Sequence, residues 1–172
     1  PSSFVHVIDY VFTDSMTWTN DEGRRMRLWI PSEVEVGDKQ AFMDTLVERA
    51  VGILTREPID IYVNPTFLPA EIAAEYDALW TEERMDRVIQ AAVQNGVAIE
   101  INSRYKLPSE KFIQRAKEAG AKFSFGTNNG DRDLGDLAYS RLMARKYNLT
   151  RDDFFVPKPD GRKPVQVKGL PR

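Results

Sequence analysis

Two periodicities of apolar residues take turns along this chain. Short runs rich in β-branched and aromatic residues, Asp9–Asp14 (DYVFTD), Ile59–Asn64 (IDIYVN), Ala98–Asn102 (AIEIN) and Lys122–Asn128 (KFSFGTN), read as strands. The last three are each followed by a run at helical spacing, the first by a longer loop and then a helix. A parallel strand is reached only by a crossover of about a dozen residues or more, so strand–helix alternation predicts an α/β fold with a parallel sheet. The strands near 4–13, 59–64, 98–102 and 122–127 are expected as parallel neighbours in sequence order, with helices outside.

The polar punctuation sharpens the boundaries. Residues 4–13 read as a buried strand, and Thr19–Gly37 as a charged excursion, hairpin-like, on the loop face. Asp38 is placed to cap a helix over 39–56, where Phe42, Leu46, Ala50, Ile53 and Leu54 recur at helical spacing. Pro58 stops it. Pro69 suits the first turn of a helix over 70–79, and Thr81 caps another over 82–95 that Gly96 ends. Strand 97–102 leads to a helix over 110–119, opened by Pro108–Ser109 and closed by Gly120. Strand 122–127 leads through the loop 128–133 to a helix near 134–147, and Thr150 with Asp153 has the spacing of a capping box. Residues 1–155 thus form one domain. The tail 156–172, with four prolines and five basic residues against one acid, reads as a solvated surface tail or a weak basic patch.

Composition removes more functions than it suggests. A chain of 172 residues, 42% hydrophobic, has material for one core. A net charge of -2 draws it to neither nucleic acid nor anionic membrane, and there is no apolar run that spans a bilayer. No cysteine excludes disulfides and thiolate chemistry, and His6 is the sole histidine, mid-strand, where a core or surface role competes with ligation. The expected setting is cytoplasmic. Pro1 stands where a methionine would begin a chain, which suggests a processed product or a fragment.

In parallel sheets, functional groups collect where strands end. That rule selects Asp14, Asn64, Glu100, Asn102 and Asn128 and expects them in one pocket. Glu100 lies inside an apolar strand, and alternation points it the same way as Asn102. A carboxylate there needs a cation or a hydrogen-bond network; it is either a working group or the structural partner of Arg104 or of an arginine at 24–27. Asn64 could bind a substrate or cap the Pro65–Thr66 turn, and Asp14 reads equally as a ligand or a turn cap. The loop with Asn128, Asn129, Asp131 and Asp133 could hold an anion at a helix start, or Asp131 or Asp133 could cap that helix. Arg24, Arg25 and Arg27 could attract an acidic substrate or form a solvated loop face.

The stretch IEIN-SRYKLPSEKFIQRAKEAGAKFSFGTNNGDRDLG resembles the closing half of the polymerase and histidinol phosphatase (PHP) domain. PIDIYVNPT resembles its preceding strand and DYVFTDSMT the one before, so the likeness covers about residues 4–155. The resemblance implies a seven-stranded, TIM-type parallel β/α barrel, of which this chain supplies about four strand–helix units, with a two- or three-metal centre for phosphoester hydrolysis. The departures fall on the ligands. Asn64 stands for a histidine, Asn128 for an aspartate, Gly130 for a histidine, and Asp14-Ser15-Met16 for a strand end that carries histidine. Amides hold divalent metal poorly. No cofactor is expected on this chain alone, beyond loosely held magnesium or calcium at Glu100 and Asp14. Two readings follow: a metal-dependent phosphoesterase-like hydrolase with a degenerate site, or a non-catalytic module holding a sugar or small anion in a polar pocket. Closing the barrel would take another segment of the protein or a second copy of the chain through its edge strands.

Overall fold

The structure is a computed structural model that describes residues 9–20, 22–128 and 135–157. It is an α/β fold built on a four-stranded parallel sheet. Strand β1 (Phe12–Thr13) pairs with β4 (Ile61–Tyr62), β4 with β5 (Ala98–Asn102), and β5 with β6 (Phe123–Gly126), all parallel and in sequence order as expected. A separate antiparallel hairpin, β2 (Thr17–Thr19) and β3 (Arg25–Arg27), occupies the charged excursion.

The helices start where side chains can satisfy their first N–H groups. Helix α1 (Lys39–Arg56) begins at Asp38, whose carboxylate accepts from Ala41 N at 2.8 Å. Helix α3 (Glu82–Gln94) is capped by Thr81 and α4 (Glu110–Glu118) by Ser109. Gly96 and Gly120, at φ +65° and +80°, follow α3 and α4 in the left-handed conformation that a side chain resists. The capping box at Thr150 and Asp153 starts a short 3-10 turn, Arg151–Asp153. Among the described residues no helix is long and apolar enough to cross a membrane.

Register and alternation divide the sheet into two faces. Tyr62, Ile99, Ile101 and Phe123 join the main core beneath the helices, together with Met43, Leu54, Val88 and Ile113. Burying each such aliphatic side chain contributes about 1.5–3 kcal/mol. The alternate positions, Phe12, Ile61, Ala98, Glu100, Asn102 and Gly126, lie on the opposite face. The chain beside the first strand and the chain beyond the last come together through side chains. Phe154 bridges to Phe123 in parallel fashion beyond β6, and the Phe155 ring meets Tyr10 edge-on with centroids 6.2 Å apart.

Three expectations need correction. The first strand is not wholly buried: Tyr10 and Phe12 are 46% and 59% exposed, because β1 is an edge with one neighbour. Residues 70–79 do not form one helix but a turn, a 3-10 segment (Ala73–Glu75) and the short α2 (Tyr76–Leu79). Tyr76 and Trp80 are drawn instead to Thr66, through Tyr76 Oη to Thr66 Oγ1 at 2.5 Å and Trp80 Nε1 to Thr66 O at 3.0 Å. The last helix, α5 (Ala138–Lys146), starts later than 134. His6 and the tail from 158 lie outside the described residues.

Candidate functional site

Four of the strand-end residues meet. Glu100 Oε2 accepts from the backbone N–H of Asn64 at 2.7 Å and from Asn102 Nδ2 at 3.1 Å. Asn102 Nδ2 also reaches Asn64 Oδ1 at 3.1 Å, and Asn64 Nδ2 donates to Asp14 Oδ2 at 3.4 Å. The result is a ring of Asn64, Asn102 and Glu100 with Asp14 attached through Asn64, spanning three neighbouring strands. Asp14 also caps its own turn, its Oδ1 accepting from Met16 N at 2.9 Å.

Glu100 is held by amides rather than by a cation. Among the described residues it has no ion pair: Arg104 donates to the carbonyl of Asn128 at 2.9 Å, Arg27 pairs with Glu33, and Arg24 donates to Ser32 O. Of the two readings of Glu100, the structural ion pair with Arg104 or an arginine of 24–27 is absent among the described residues. Burial pushes the Glu100 carboxyl above the usual glutamate range; the Asn64 and Asn102 hydrogen bonds pull it back, and Asp14 adds to the rise. Gly126 makes room for it. A Cβ at Gly126 would lie 1.6 Å from Glu100 Oε1, so only glycine fits beside that carboxylate.

Asn128 does not join this network. It is exposed, and its carbonyl serves Arg104. Asn129 and Asp131 lie outside the described residues.

Of the five non-glycine residues with left-handed backbones among the described residues, four follow strand ends: Asn64 (φ +49°), Thr66 (+66°), Lys106 (+53°) and Asn128 (+50°); the fifth, Asn148, follows α5. Asparagine tolerates that region, whereas β-branched Thr66 is strained there. Backbone strain of this kind gathers at functional sites and persists only where surrounding bonds enforce it; here Tyr76 and Trp80 do so.

Beside the network opens a cleft of about 700 Å³. Its walls include Trp29, Phe67, Tyr76, Arg104, Tyr105 and Lys106. Phe67 and Tyr105 pack edge-on at 5.0 Å, and the Arg104 guanidinium carbon stands 5.8 Å from the Tyr105 ring centre. The network supports both walls: Tyr105 N donates to Asn102 Oδ1 at 3.0 Å, and Phe67 N reaches Asn64 O at 3.4 Å. Of the residues chosen from sequence, only Arg104 lines the cleft. The aromatic wall went unread, although each strand end here is followed within three residues by an aromatic, Phe67 after Asn64 and Tyr105 after Asn102.

The residues present do not fit a two- or three-metal centre. Amide nitrogens already bond one oxygen of each strand-end carboxylate, and among the described residues no three His, Cys, Asp or Glu side chains stand close enough to share a metal ion. Compared with family models, curated proteins and solved structures, the chain matched none of them.

Proposed function

We propose that this chain is a PHP-like β/α domain whose metal site has been replaced by an amide–carboxylate network, and that it binds a small anionic ligand rather than hydrolysing one. The observation that carries the reading is the state of Glu100. Glu100 Oε2, which accepts from both Asn64 N–H and Asn102 Nδ2, is engaged in holding the strand ends together, and no histidine or third carboxylate among the described residues joins it to share a metal ion. The neighbouring cleft supplies what recognition needs: Arg104 and Lys106 for an anionic group, and Trp29, Phe67 and Tyr105 for an apolar or ring-shaped body. The parallel strand order supports the β/α part of the proposal, in which this chain supplies about four units of a seven-stranded ring and the remainder comes from another segment or a second copy.

Phenyl phosphate, a ring bearing a dianion, is the probe. Titrated against the full chain, it is expected to quench tryptophan fluorescence saturably, and Arg104→Ala to weaken binding about tenfold, the equivalent of ~1.4 kcal/mol. No saturation in the wild-type protein, or unchanged binding in Arg104→Ala, overturns the cleft assignment. A parallel assay with p-nitrophenyl phosphate and added manganese or zinc separates the two readings. Release of p-nitrophenol that is abolished in Glu100→Gln would restore the hydrolase.

A further inference from the structure

A second groove, of about 320 Å³, lies between hairpin β2–β3 and helix α1. Asp38, Ala41, Phe42, Thr45 and Arg49 line it from α1, and Trp18 and Met26 from the hairpin. Residues spaced three and four apart share a helix face. The groove therefore runs along α1 from Asp38 to Arg49, a rise of about 16 Å.

Arg49 is unlike the arginines around it. Arg84 and Arg87 of α3 pair with Asp44 and Glu48 of α1, and Arg115 with Glu82 and Asp86. These bonds engage Asp44 and Glu48, the two acids that precede Arg49 on α1. Among the described residues Arg49 itself has no ion pair, and its Nε is buried with no hydrogen-bond partner. Its guanidinium rests over the Trp18 ring, 5.0 Å from the ring centre. Burial alone holds its pKa below the ordinary arginine value, with no acid to raise it. A guanidinium carries five donors in a planar fork that matches a carboxylate. The buried Nε is closed to the groove, so the terminal nitrogens, which make no hydrogen bond among the described residues, are the donors a ligand would meet.

We propose that this groove binds a small carboxylate with an apolar or aromatic body, its carboxylate on the Arg49 guanidinium and its body against Trp18, Phe42 and Met26. Asp38 sets the direction. Its Oδ1 is fixed as the cap of α1, and its charge repels an anion from that end. The ligand's carboxylate is thereby confined to the Arg49 end. Nothing in this assignment depends on the strand-end cleft.

The test compares N-acetyl-L-phenylalanine with its amide, which has the same body and no charge. Binding to the full-length protein is followed through the Arg49 Nε–Hε resonance. The acid is expected to shift that resonance saturably, and the amide to bind at least about tenfold more weakly. Arg49→Gln should lose the preference for the acid while keeping the wild-type melting temperature within a few degrees. Equal affinity for acid and amide overturns the proposal, as does no saturable shift with the acid up to about 10 mM, the edge of measurable affinity. Both of those outcomes are read on the wild-type protein, so a variant that fails to fold cannot hide them.

Discussion

Glu100 is buried and Arg49 half-buried, and neither has a counter-ion among the described residues, yet the fold treats them in opposite ways. Around Glu100 it supplies two amide donors and a glycine that clears space for the carboxylate. Around Arg49 it supplies one aromatic face and no acceptor. A buried charge met by hydrogen bonds from its own chain is a structural member. One whose donors the chain leaves unmet is oriented toward something the chain does not contain.

The contrast is open to direct attack, and the largest effect is expected at Gly126. Gly126→Ala drives a methyl into the Glu100 carboxylate and should destabilise by about 3 kcal/mol or more, as overpacking joined to a broken network does. Denaturant unfolding measures it. In a Glu100→Ala background the same change should cost less than half as much, a coupling that a double-mutant cycle isolates. Additive costs would mean that the carboxylate does not fill that space.

Glu100→Gln gives a smaller effect with a pH signature. The Glu100 pKa is raised in the folded state, so its stabilising contribution is present below the ordinary glutamate pKa and is lost as pH rises through the folded value. From about pH 8 down to about pH 5, the wild-type melting temperature should therefore rise relative to that of Glu100→Gln, read as a difference of two thermal scans. A gap that stays constant, or moves the other way, would place the carboxylate in a wetter setting than its hydrogen bonds indicate.

Removing the cap of α1 gives a reference of known kind. Asp38→Ala should cost about 1 kcal/mol by leaving Ala41 N–H without its acceptor, measured by urea unfolding. The smallest effect is expected at Arg49. Arg49→Met should leave stability within about 0.5 kcal/mol of wild type, because the lost contact with Trp18 is offset by relief of an unpaired, desolvated charge. A loss of several kcal/mol there would make Arg49 a structural member after all and erase the contrast.

What the sequence discloses and what it withholds divide along locality. Asp38, Thr81, Ser109, Gly96 and Gly120 announce their roles because a cap involves only the next few residues. Strand order is legible because each strand–helix unit leads to the next. Residues 70–79 mislead because their helical pattern is local, whereas the pull of Thr66 on Tyr76 and Trp80 is not. At the strand ends, the meeting of Asp14, Asn64, Glu100 and Asn102 follows from their common position. The cleft wall does not: Phe67 and Tyr105 become neighbours only once β4 and β5 are aligned. Gly126 reads as an ordinary strand-end glycine until its distance from Glu100 is seen, and Arg49 as one more helix-surface charge until its neighbours' acids are found to be taken.

The contact between Tyr10 and Phe155 ties the chain beside the first strand to the chain beyond the last through side chains alone. Among the described residues no backbone ladder runs between β1 and β6. The two ends of the sheet can therefore part without breaking a single inter-strand hydrogen bond.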